Sequence, residues 1–71
     1  MDKEESRQIL GAKIKEIRES KGISKYEVSK KSGVVISNLT RIEAGKYSVG
    51  FDILQRIAEA LGCKIELSPI I

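Results

Sequence analysis

Near the start of the chain, Leu10, Ile14 and Ile17 recur at i, i+4 and i+7, while Lys13, Lys15, Glu16, Arg18 and Glu19 fall largely elsewhere. That spacing makes one apolar stripe of a 3.6-residue period and predicts a helix from about Glu5 to Lys21. Gly22 stops it, because the left-handed conformation common after a helix end suits glycine. The next segment opens on "SKYE". Ser24 and Glu27 form a capping box there, in which hydroxyl and carboxylate each satisfy a backbone N–H orphaned at the helix start. Ile23, just ahead of the cap, is placed to staple onto Val28. This second helix is short, ending near Lys31 or Ser32, and Gly33 follows it. A third helix is expected over about Ile36 to Ala44, with Leu39 and Ile42 sharing one face and Gly45 closing it. A fourth covers about Phe51 to Leu61, burying Phe51, Leu54, Ile57, Ala58 and Leu61 and stopping at Gly62. Gly50 is an acceptable cap, and Asp52 in the first turn favours the helix dipole.

The period changes in the tail. Lys64, Ile65, Glu66, Leu67 and Ser68 alternate polar and apolar, which is the strand signature. A lone strand in a small helical domain needs a second one, and the rest of the chain supplies none. Pairing with the same tail of a second copy would provide it and hide the exposed edges, so Ile65 and Leu67 are candidate dimerisation residues. Two alternatives stay open: the two side chains fold back on their own core, or the dimer forms on the outer face of the fourth helix.

At 71 residues the chain is one small domain, and 41% hydrophobic with 32% charged residues suits a globular chain. Cys63 is the only cysteine and there is no histidine, so an internal disulfide, a zinc site and a Cys/His or Ser/His catalytic pair are all excluded or strongly disfavoured. No enzyme activity and no cofactor are expected. The apolar runs are far shorter than the ~20 residues that span a bilayer, and "MDKEESRQ" lacks an apolar signal segment. The expectation is therefore a cytoplasmic protein with no membrane partner. A net charge of +3 permits polyanion binding without demanding it.

Two short helices separated by a glycine turn have helix-turn-helix geometry, with the second available to enter a major groove. Here the pattern is more specific. The runs "LGAKIKEIRESKGIS", "EVSKKSGV", "SNLTRIEAGK" and "ILQRIAEALG" follow one another between Leu10 and Gly62, and in this order and spacing the chain resembles the Cro/CI (Xre-type) repressor family. The resemblance implies an all-α, four- to five-helix lambda-repressor-like helix-turn-helix domain, to which the tail adds a short C-terminal β-strand. It divides the chain into an N-terminal extension (1–8), a DNA-binding domain (9–62) and a strand or dimerisation tail (63–71). The implied function is sequence-specific binding of double-stranded DNA as a homodimeric transcriptional regulator, a repressor. The tail also resembles small antitoxin-type members, so the alternative is an antitoxin that binds a toxin protein and autoregulates its operon.

The resemblance also assigns roles. Arg18 and Glu43 stand where the family pairs an arginine of the first helix with a glutamate of the third; a structural ion pair and a guanidinium oriented towards a phosphate are both open. Ser24 and Lys25 stand where the second helix meets the sugar-phosphate backbone, although Lys25 departs from the glutamine frequent there and loses its directional hydrogen bonding. Lys46 resembles the loop phosphate contact, and Tyr47 adds a hydroxyl. Base readers are expected at Ile36, Ser37, Asn38, Thr40 and Arg41, with Arg41 best suited to a bidentate contact on guanine O6 and N7.

The start of this third helix is unusual. Val34 is expected to pack inside the turn, but Val35 occupies the cap position usually held by serine, threonine or aspartate, and Ile36 stands where many relatives carry a polar reader. Losing the cap costs about 0.5–2 kcal/mol. In a major groove, the partner for a branched apolar side chain is the C5-methyl of thymine. Packing of Val35 and Ile36 on a neighbouring protein chain is the competing explanation.

Overall fold

The structure, a computed structural model, describes residues 2–69 as four helices: α1 (Lys3–Ser20), α2 (Lys25–Ser32), α3 (Ile36–Glu43) and α4 (Phe51–Ala60). Each lies within a residue or two of where the apolar spacing puts it. α1 begins before Glu5 because the Asp2 carboxylate accepts a hydrogen bond from the Glu5 N–H at 2.8 Å, capping a turn that periodicity alone does not register. The helix therefore runs through most of the segment expected as an extension.

One core joins all four helices. Ile14 from α1, Val28 from α2, Leu39 and Ile42 from α3, Ile57 from α4 and Leu61 just beyond it are buried together with Val34 from the turn. α1 packs on α3, and α2 packs on both α3 and α4. The α1–α3 contact is close enough to forbid a side chain. A Cβ at Gly11, inside α1, would collide with the Ile42 carbonyl oxygen and lie 2.7 Å from that of Glu43. The end of α3 thus rests directly on the backbone of α1.

The turn between α2 and α3 is fixed by two local features. Gly33 takes a φ of +77°, a left-handed geometry that reverses the chain at little cost only without a Cβ. The buried Ser32 hydroxyl then accepts the Val34 N–H at 3.1 Å, which turns the valine into the core. α3 closes in a Schellman motif: Lys46 N–H donates to the Arg41 carbonyl at 2.9 Å and Gly45 N–H to that of Ile42 at 3.0 Å. Gly45 has a second reason to be glycine, because a Cβ there would lie 2.7 Å from the Gln8 Cα. Lys21 Nζ donates to the Leu61 carbonyl at 2.6 Å and ties the end of α1 to the end of α4.

Three expectations are corrected. Phe51 is 65% exposed, with Ile53 and Leu54 packed against the core instead. Phe51 is the first residue of α4, and helical side chains lean towards the N-terminus, so its ring projects past the end of the core. Arg18 is buried rather than on the polar side of α1, for a reason given by its partner below. Finally, Cys63–Pro69 forms no strand, because the single chain offers nothing to pair with. The tail keeps the alternation in part: Lys64 and Glu66, two apart, form an exposed ion pair at 3.7 Å. Ile65 borders an apolar groove with Leu10, Ile14 and Leu54, whereas Leu67 is 96% exposed. Of the tail expected over 63–71, Ile70 and Ile71 lie outside the described residues.

Candidate nucleic-acid interface

α3 presents two sides of opposite character. Leu39, Ile42 and Glu43 are buried, while Ile36, Ser37, Thr40 and Arg41 are exposed. Residues four apart are neighbours on a helix, so these form two parallel rows, Ile36–Thr40 and Ser37–Arg41. The structure brings these four expected readers onto one open face. Asn38 is set apart: it is half-buried and borders a shallow groove with Val35, Tyr47 and Ile53.

Cationic groups frame this face. Lys25 at the start of α2 donates from Nζ to Thr40 Oγ1 at 3.3 Å, placing its charge beside the Ile36–Thr40 row. Lys46 is exposed just beyond the far end of α3, with its backbone held by the Schellman closure, and Tyr47 follows at 38% exposure. Ser24 is more committed than its sequence position conveys. Its hydroxyl accepts the Glu27 N–H at 3.1 Å, and Glu27 Oε1 accepts the Ser24 N–H at 3.2 Å, completing the capping box. A ligand at this end of α2 would meet the Lys25 and Tyr26 N–H groups, the orphan donors of the first turn, with the Glu27 carboxylate alongside.

Arg18 and Glu43 hold the frame together from inside. Arg18 Nε donates to Glu43 Oε2 at 2.7 Å and Nη2 to Oε1 at 3.1 Å, a bidentate pair with both residues 8% exposed. Arg18 Nη1 also donates to the Ile23 carbonyl at 3.0 Å. Hydrogen bonding to Glu43 raises the Arg18 pKa above its ordinary value, against the opposing pull of burial. One guanidinium thus links the end of α1, the residue before the α2 cap and the end of α3. Three of its five N–H donors are engaged in this way, which leaves one on each terminal nitrogen.

At the start of α3, Val35 is extended (φ −63°, ψ 147°) and provides no side-chain cap. Val35 is 56% exposed and Ile36 42% exposed, while Val34 is 5% exposed in the core. The backbone at Val35 already suits a capping residue, so Val35→Ser is expected to stabilise the fold by about 0.5–2 kcal/mol. Urea denaturation measures this directly; a midpoint unchanged or lowered would show that the valine packs better than its exposure indicates.

Sequence reasoning missed Gly11, Ser32 and Lys21. Ser32 had a signal, a serine beside the turn glycine. Gly11 and Lys21 had none that periodicity could detect, since each acts on a residue distant in sequence.

A bihelical turn whose second helix is open on one face, with lysines at the margins and its ends fastened from within, has helix-turn-helix geometry. A family model described as helix-turn-helix matches residues 14–67. The chain belongs to this family, of the Cro/CI (Xre) type, and is a DNA-binding transcription regulator. No individual curated protein and no solved structure matches it significantly. Among the described residues, no helix is long and apolar enough to cross a membrane.

Proposed function

We propose that the chain works as a homodimeric repressor in which α3 reads base edges in the major groove of a near-palindromic site. The observation carrying this reading is the open Ile36, Ser37, Thr40 and Arg41 face of α3 with Lys25 and Lys46 at its margins. Arg41 is the specificity anchor, its fork matching guanine O6 and N7, a contact worth about 1–3 kcal/mol of discrimination. Ser37 and Thr40 are short and act where the helix lies deep in the groove, and Asn38 serves at the edge. Lys25, Lys46 and Tyr47, with the backbone donors after Ser24, hold phosphates and set the register without carrying sequence information. Arg18 and Glu43 position these elements.

A single recognition helix covers too few base pairs for tight specific binding, and two-fold dimers on paired half-sites are the general solution. The exposed Leu67 and the groove beside Ile65 support a dimer formed through the tail and the α1–α4 side of the molecule. Bound across a promoter, such a dimer represses by blocking access.

Selection of bound sites from a random duplex pool tests the reading. The expected product is a palindromic consensus with half-sites about one helical turn, ~34–36 Å, apart. Lys46→Ala should weaken selected and random duplexes alike and lower the salt slope by about 1, whereas Arg41→Ala should relax one base position. Absence of a consensus, with binding that only falls steeply with salt, would refute sequence-specific reading. Sedimentation separates the assembly question: Leu67→Ser should shift a wild-type dimer to monomer. A wild-type monomer on DNA would overturn the homodimer and favour a second protein on the same surface, as in an antitoxin-type pair.

A further inference from the structure

We infer that Val35 and Ile36 form an apolar sensor for the pyrimidine 5-methyl group, making binding sensitive to methylation of a cytosine placed beneath the tip of α3. This rests on the reading of α3 as the helix in the major groove. The two side chains are adjacent, branched and exposed, at 56% and 42%. They stand where the helix forgoes a side-chain cap, as α4 does at Gly50, while α1 and α2 are capped by Asp2 and Ser24. Ile36 begins the row that ends at Thr40, whose hydroxyl accepts from Lys25. Helical side chains lean towards the N-terminus, so Ile36 covers the very tip of α3, the part that penetrates deepest in helix-turn-helix docking.

The face that this apolar tip begins carries positive charge, with Lys25 on Thr40 beside the Ile36 row and Arg41 and Lys46 towards the far end of the helix, which complements a polyanion rather than the apolar surface of a second protein. Inside a major groove the base edges are mostly donors and acceptors, and the one sizeable apolar group is the C5-methyl of thymine, in place of the small C5–H of cytosine. Against a purine N7 or O6, or the cytosine amino group, Val35 and Ile36 would remove water and return no hydrogen bond. Against a methyl they bury apolar area at no polar cost. The methyl of 5-methylcytosine lies at the same ring position, so a tip that selects thymine by this contact also prefers 5-methylcytosine to cytosine.

The test uses a selected duplex in which each thymine in turn is replaced by deoxyuridine, which removes only the methyl. At the position under the tip, affinity should fall about fourfold per half-site, the value of one buried methyl-sized group. With a C·G pair at that position, methylation of the cytosine should strengthen binding by a similar factor. Ile36→Ser should bring both ratios close to one, whereas Arg41→Ala should lower affinity and leave them unchanged. If wild-type protein binds every uracil duplex as tightly as its thymine parent, the methyl sensor is overturned while sequence-specific binding stands. Uracil sensitivity that survives in Ile36→Ser overturns it equally, and the wild-type comparison decides alone should that variant not fold. Loss of any specific duplex binding would remove the reading beneath it as well.

Discussion

Glu43→Ala is expected to cost about 3–5 kcal/mol of folding stability, because it leaves the Arg18 guanidinium buried and unpaired. A domain of this size has a total stability near the lower end of the usual ~5–15 kcal/mol, so the variant should keep no more than about 2 kcal/mol and be marginally folded. The loss has little to do with the attraction between the charges, most of which desolvation offsets in the native protein. Its source is a largely buried cation with two of its hydrogen bonds removed and one, to the Ile23 carbonyl, retained. Replacing both partners, as Arg18→Met with Glu43→Leu, should cost much less than the sum of the single changes. Urea denaturation of the wild type, Arg18→Met, Glu43→Leu and the double variant gives the coupling. A loss below about 1 kcal/mol for Glu43→Ala would mean the pair behaves as an exposed one.

Gly11→Val should be comparably damaging, with a cost of about 1–3 kcal/mol or more. The atoms that a new side chain meets are the carbonyl oxygens of Ile42 and Glu43, which are backbone and cannot rotate aside. α1 and α3 must therefore separate, which loosens the same end of α3 that Arg18 clamps. Gly11→Ala gives the sharper test through its sign. In an open helix interior this change gains up to about 1 kcal/mol from propensity. Here it is expected to destabilise, and a rise in the denaturation midpoint would show that the helices do not approach so closely.

Gly11 also shows where sequence reading loses its purchase. Helix positions, the glycine stops and the core residues Ile14, Val28, Leu39, Ile42, Ile57 and Leu61 follow from local period and cap chemistry, and the structure has them so. A glycine required by a neighbour across the fold leaves no mark in its own helix's periodicity. Phe51 fails for a related reason: its spacing fits the apolar face, but the face ends where the core ends, and the helix start overshoots it. The tail alternates as a strand would, yet alternation specifies a face and not a partner. At the interface, the resemblance named Ile36, Ser37, Thr40 and Arg41, which do share one exposed face, while the half-burial of Asn38 and the burial of Arg18 depended on packing from other elements.

The proposed DNA-binding surface is the open face of α3, with Lys25 and Lys46 at its margins. Amide chemical shifts followed while a selected duplex is titrated into the protein test it most directly. The largest changes should cluster from Val35 to Arg41, around Lys25 and across Lys46 and Tyr47, with little change along the α1 side of the Leu10–Leu54 groove. Changes concentrated on that groove, with the α3 face undisturbed, would contradict it.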